Sequence, residues 1–236
     1  MKFAYWTALA LLAALGGCAS IQPARMALPP ALATTSDVVV MEGLGGGRRG
    51  QFQVGAHAGE FARSEERLVL FDTLETRRGG SRFTLSGPQI DGRIEAACVM
   101  RERNITIGVA NFTAKPMSYQ CDLTSNGRPF PARFELQEAR NGPATLKSER
   151  RGEIALDRVI LQIRSVHALE GSPFQTDAPI GYVFELIGLP VGAVELNGAP
   201  RLFLPRGDDP ALQRAVIAGS VALAVFWDPA NSALGD

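Results

Sequence analysis

Few side chains in this 236-residue sequence stand at spacings that do chemistry. The run Gly45-Gly46-Gly47-Arg48-Arg49-Gly50 satisfies G-x-G-x-x-G directly after the strand-like DVVVME of residues 37–42. In a dinucleotide site such glycines let a pyrophosphate approach backbone N–H groups at the start of a helix. The QFQVGAHAGEF that follows has no helical period, so the run is expected to be a loop between strands, with Arg48 and Arg49 as candidate anion ligands. His57 and His167 each stand alone, without H-x-x-x-H, a Cys pair at metal-ligand spacing or G-x-S-x-G. No metal, cofactor or catalytic residue is therefore assigned. His167, within IRSVHALEG, is expected at the surface or the edge of the core, and Asp208-Asp209 reads as a turn and helix cap, not an acid–base pair. A site assembled in three dimensions from Ser, a His or the plentiful carboxylates stays open, which keeps an envelope hydrolase as the alternative function.

The N-terminus carries a different kind of chemistry. Lys2 precedes an apolar run from Phe3 to Leu15, the layout of a secretory signal peptide and too short for a permanent span, which needs about 20 residues. Leu15-Gly16-Gly17-Cys18 then resembles the lipobox of bacterial lipoproteins. That resemblance implies that residues 1–17 are removed, that Cys18 carries the lipid, and, with Ala19 in place of Asp, that the protein passes to the outer membrane. Residues 18–36 are rich in Ala, Pro and Thr with no helical or strand period, and read as a tether, roughly 30–50 Å long if mostly extended. Loss of Lys2 leaves 23 basic and 24 acidic side chains, a formal charge of minus one. Such a surface has no long-range field to gather nucleic acid. Membrane contact is expected through the anchor alone, with a lipid or an envelope protein as partner.

Export to an oxidising compartment makes Cys98 and Cys121 an expected disulfide. If residues 93–102, 104–112 and 117–123 were three successive strands of a meander, the two thiols would flank the middle strand about 10 Å apart, beyond disulfide reach. A bulge at Gly108 or a different strand order would remove the conflict.

The elements that must position these residues are mostly strands. From Asp37 onward short runs such as RLVLFDTLET, SRFTLSG, ARFELQEA and GYVFELIG alternate apolar and polar side chains. Asn126-Gly127, Asn141-Gly142 and Asn197-Gly198 supply hairpin signals between them. The reading is one mainly β domain over residues 37–236, an antiparallel barrel or sandwich of about a dozen strands. Its last element is an exception: DDPALQRAVIAGSVALAVFWDP has a cap at Asp209, Pro210 at the first helical position and no charge from Ala215 to Trp227. Thirteen residues rise about 20 Å against roughly 30 Å of hydrocarbon, and no polar face remains, so a helix packed in the core is expected. This pattern, from about Ser81 to Pro229, resembles the tubby C-terminal and LURP-one-like fold, which implies a closed barrel of about twelve strands threaded by its apolar C-terminal helix. Members of that superfamily are linked to membrane lipids; none of their ligand residues can be placed here. The functional expectation is a non-enzymatic, outer-membrane-anchored lipoprotein that binds or scaffolds an envelope component.

Overall fold

The computed structural model describes residues 23–70, 73–107, 110–139 and 148–227. Cys18, Gly108, Asn141-Gly142 and Pro229 lie outside the described residues. Twelve strands follow one another: β1 (Ser36–Glu42), β2 (Arg49–Val54), β3 (His57–Leu70), β4 (Leu74–Leu85), β5 (Ile94–Ile107), β6 (Ala110–Ser125), β7 (Arg128–Glu138), β8 (Arg150–Leu156), β9 (Val159–Val166), β10 (Gly181–Leu186), β11 (Leu189–Glu195) and β12 (Arg201–Pro205). Each pairs antiparallel with its neighbour in sequence, and β1 pairs with both β2 and β12, so the sheet closes into a barrel. Closure satisfies the backbone donors and acceptors that an open sheet leaves on its edges.

In such a meander all odd-numbered strands run toward one end. The far end is closed largely by two-residue turns: Asn126-Gly127, with φ of 51° and 72°, joins β6 to β7 as its sequence signals, and Ile187-Gly188, at 52° and 74°, joins β10 to β11. The other end, here called the mouth, carries longer connections, including residues 43–48, 167–180 and 196–200.

The barrel is filled by a helix. After the α1 turn near the N-terminus (Pro30–Thr35), the second helix, α2, spans Pro210–Val225 and enters from the far end. Asp209 Oδ1 accepts from the amides of Ala211 and Leu212 at 3.0 and 3.1 Å, the expected cap. Arg214, the last charge before the apolar run, reaches the rim and pairs with Asp157 and the Gln89 carbonyl. Every residue from Ala215 to Leu223 is buried against the inward faces of the strands. Where the helix comes closest to the wall the sequence has glycine: Gly219 faces the Phe184 ring and Gly192 of β11 faces Val216.

Two expectations are revised. The residues between the three expected strands, 103 and 113–116, are themselves strand: β5 runs on through Asn104 to Ile107, and β6 starts at Ala110 and runs to Ser125. Cys98 and Cys121 are then directly opposite one another, Cα–Cα 3.9 Å, and are disulfide-bonded. The conflict with disulfide geometry came from cutting one hairpin into three strands. The second revision concerns the tether over residues 18–36. From Pro23 on, this segment lies on the outside of β9–β12: Met26 bridges Leu169, and Met26 and Leu32 are buried with Val166, Ile180, Val183, Ala193 and Phe203 in a second, smaller core. Met26, Leu32 and the partly buried Leu28 were enough, because the barrel wall supplies an apolar surface for them to cover.

Candidate functional site

Along the strands, the side chains that point inward change character where α2 ends. On β4 the inward series is Leu85 and Phe83, then Ser81, Gly79 and Arg77; on β5 it is Ile94, Ala96, Cys98 and Met100, then Glu102 and Asn104. β7 runs Phe134, Leu136, Glu138, and β9 runs Leu161, Ile163, Ser165 and, just past the strand, His167. β8 contributes Arg150, 2% exposed, beyond Ile154. The lumen is apolar beside the helix and polar above it.

The helix C-terminus is held by this polar layer. Tyr119 Oη donates to the Ala222 carbonyl at 3.2 Å and accepts from Ser81 Oγ at 2.6 Å. Its ring stacks on Phe226 at 4.5 Å and meets Phe134 edge-on at 5.7 Å. Burial pushes the Tyr119 phenol well above its ordinary range, so it acts as a neutral donor. Arg63 Nη1 donates to the Ala224 carbonyl at 3.4 Å, Nε donates to the Gly47 carbonyl at 2.9 Å, and Nη2 donates to the Gly45 carbonyl. The same guanidinium lies 5.2 Å from the ring centres of Phe61 and Trp227. Arg150 sits 5.5 Å over Phe226 and donates to Tyr182 Oη at 3.2 Å. Two guanidinium groups thus face the negative end of the helix dipole, with Asp209 at the positive end.

Beside this layer the mouth holds a pocket of about 550 Å³. Its apolar wall comes from Leu44, Ile180, Leu196, Leu223, Phe226 and Trp227, and its polar groups from Arg63, Tyr182 and Asn197. An apolar cleft with a few convergent polar groups is the usual form of a small-molecule site.

Opposite Arg150 and the pocket, the lumen wall carries carboxylates. Glu102 faces Arg77 directly across the β4–β5 pair, and Arg77 Nε in turn donates to Glu75 Oε1 at 2.6 Å. Burial, reinforced by the nearby charge of Glu138, raises the Glu102 carboxyl, while Arg77, the Asn104 amide and Arg150 act in the opposite direction. Glu102 Oε2 is buried and accepts no hydrogen bond from the described residues.

The residues singled out from the sequence fall in scattered places. The glycine run is a loop at the mouth and leads into β2, not a helix, so the dinucleotide arrangement is absent. Arg48 and Arg49 are exposed, and the cation that reaches the pocket is Arg63, which no spacing marked. His57 lies toward the far end, where Nε2 donates to the Pro88 carbonyl at 2.8 Å. His167 is buried near the mouth: Nδ1 donates to the Thr176 carbonyl at 2.9 Å, which leaves Nε2 to accept from Ser165 Oγ at 3.1 Å. Ser165 Oγ accepts in turn from the Arg150 amide at 2.9 Å. This Ser–His pair is two residues apart on one strand face, a spacing read in the sequence only as strand. Among the described residues no group of three or more His, Cys, Asp or Glu side chains is placed to hold a metal, and no helix is long and apolar enough to cross a membrane.

Compared with protein-family models, with curated proteins and with solved structures, the chain matches none. The site is therefore read from its own geometry.

Proposed function

We propose that this chain is an outer-membrane lipoprotein, anchored through an acylated Cys18 and facing the periplasm, whose barrel mouth binds an amphiphilic envelope component without catalysing a reaction. The observation that carries the reading is the position of the amphipathic pocket. It opens at the end of the barrel where the N-terminal segment is fastened: the Asn197 amide, itself part of the pocket lining, donates to the Ala24 carbonyl at 2.7 Å, and Arg25 pairs with the buried Glu195 at 3.2 Å. An apolar wall for a chain and a rim of Arg63, Tyr182 and Asn197 for a head group suit a ligand with both parts.

Native mass spectrometry of protein extracted from membranes in mild detergent tests this. Wild type is expected to retain a bound amphiphile, and Ala178→Trp, which puts an indole into the pocket wall, is expected to lose it. Equal retention by both, or none by wild type, refutes the pocket reading. Palmitate incorporation that persists after Cys18→Ala refutes the anchor.

The alternative, an envelope hydrolase, rests on the Ser165–His167 hydrogen bond. Neither side chain lines the pocket, and the serine oxygen is already held between the ring and the Arg150 amide. Covalent labelling of Ser165 by a fluorophosphonate would favour this alternative over binding alone.

A further inference from the structure

We infer that the mouth of the barrel docks on the phospholipid surface, with the β3–β4 hairpin and the β9–β10 loop touching the bilayer. The inference rests on the reading of Cys18 as the acylated residue. Three large apolar side chains project from the mouth: Leu68 and Val69 near the tip of β3, 57% and 45% exposed, and Phe174 in the β9–β10 loop, 75% exposed. The far end also exposes Ile187 and Leu189, so exposure by itself does not choose the end; the point at which the N-terminal segment leaves the barrel, beside Gly198, does.

Arginines stand just behind these tips. Arg78 is paired across the ladder with Glu66, two residues short of Leu68, which places it about 7 Å back along the strand. Arg78 is directly opposite Arg101, and both are exposed, with no ion pair between either of them and the described residues. Glu66, also exposed, stands directly opposite Arg78 on β3, so the row across the three strands holds one carboxylate and two guanidinium groups and keeps one excess positive charge. Apolar tips followed by cations at this distance match the order of hydrocarbon and phosphate met on entering a bilayer of anionic phospholipid.

The length of chain before the barrel selects lipid over a protein partner. Pro23 packs beside Gly198 at the mouth, and five residue steps separate it from Cys18, at most about 18 Å when fully extended. The tether expected to hold the domain clear of the membrane is taken up by its packing on β9–β12. A lipid on Cys18 therefore keeps the mouth near the bilayer surface, and little room remains there for another folded domain.

The test uses the full lipidated protein in vesicles of phosphatidylethanolamine and phosphatidylglycerol, with an environment-sensitive dye on Phe174→Cys or, at the far end, on Ile187→Cys. Dye at position 174 is expected to shift to the blue and to be quenched at least threefold more by lipid-borne than by aqueous quencher, with the reverse at 187. Leu68→Ser combined with Val69→Ser is expected to weaken the quenching at 174. Aqueous behaviour at 174 in protein shown by mass spectrometry to be acylated overturns the docking and leaves the anchor intact. Absence of acylation in the same sample overturns both.

Discussion

Replacing Gly219 by Ala reports whether α2 is enclosed, because the sign of the effect depends on it. In an open helix this substitution stabilises by about 1 kcal/mol, since glycine loses more backbone freedom on folding. Here a Cβ at Gly219 would lie 2.8 Å from Phe184 Cε1, 3.2 Å from Cζ and 3.5 Å from Ile154 Cδ1. Carbon atoms prefer about 3.5–4.0 Å, and the Phe184 ring is fully buried between helix and wall, so it has no free direction in which to move. Forcing one methyl group into such a site costs about 1–3 kcal/mol. The net expectation is a loss of about 1 kcal/mol, or roughly 2–4 °C in Tm for a chain of this size. Thermal unfolding followed by near-ultraviolet circular dichroism reads it directly. Gly192→Ala should act in the same direction, since its Cβ would meet Val216 Cγ1 at 2.9 Å. Phe184→Leu should cost less in the Gly219→Ala background than in wild type, because the two groups compete for one space. A rise in Tm on Gly219→Ala, or strict additivity with Phe184→Leu, refutes the enclosed helix.

Three further outcomes are expected. Val221→Asp places an unpaired charge in the middle of the barrel and should abolish the folded state, seen as lost near-ultraviolet dichroism; a folded, soluble variant would contradict the core position of α2. Replacing Cys98 and Cys121 together by Ala removes a cross-link between residues 23 apart in sequence, worth about 3 kcal/mol in the chain-entropy model. Tm should fall by roughly 6–12 °C and lose its sensitivity to reductant, whereas an unchanged Tm would show the bond to be dispensable. Glu102→Gln should stabilise at neutral pH. The folded-state carboxyl is raised above its unfolded value, so the native protein binds the proton more readily and stability increases as pH falls through the raised value toward about 4.5. The gain from Glu102→Gln should shrink across the same interval, and a gain independent of pH would remove Glu102 as its source.

Much of the fold was legible because it rests on local patterns. Alternation along the strands, Asn-Gly at the β6–β7 turn, and the cap and apolar run of α2 all follow from backbone geometry and side-chain polarity within a few residues. The hairpin containing Cys98 and Cys121 was misdivided because Arg101-Glu102-Arg103-Asn104 looks like a break in an apolar strand. Two of those residues face a lumen that is polar at that height, which no local rule reveals. The N-terminal segment failed for a related reason. Met26, Leu28 and Leu32 stand among Ala and Pro with no sustained period, and most of the side chains they pack against come from strands more than 130 residues away.

The candidate site was almost invisible. Arg63, Tyr119, Arg150, Tyr182 and Trp227 come from five separate elements and meet only because the barrel closes and α2 stops short of its mouth. The sequence by itself determined the strand character and the enclosed helix, and it is the sole ground of the proposal at Cys18, since each depends on residues adjacent in the chain. Tertiary structure alone decided which end of the barrel is polar, where the pocket opens and that the segment from Pro23 packs on the wall, because those depend on register and closure, which bring together groups that share no local pattern.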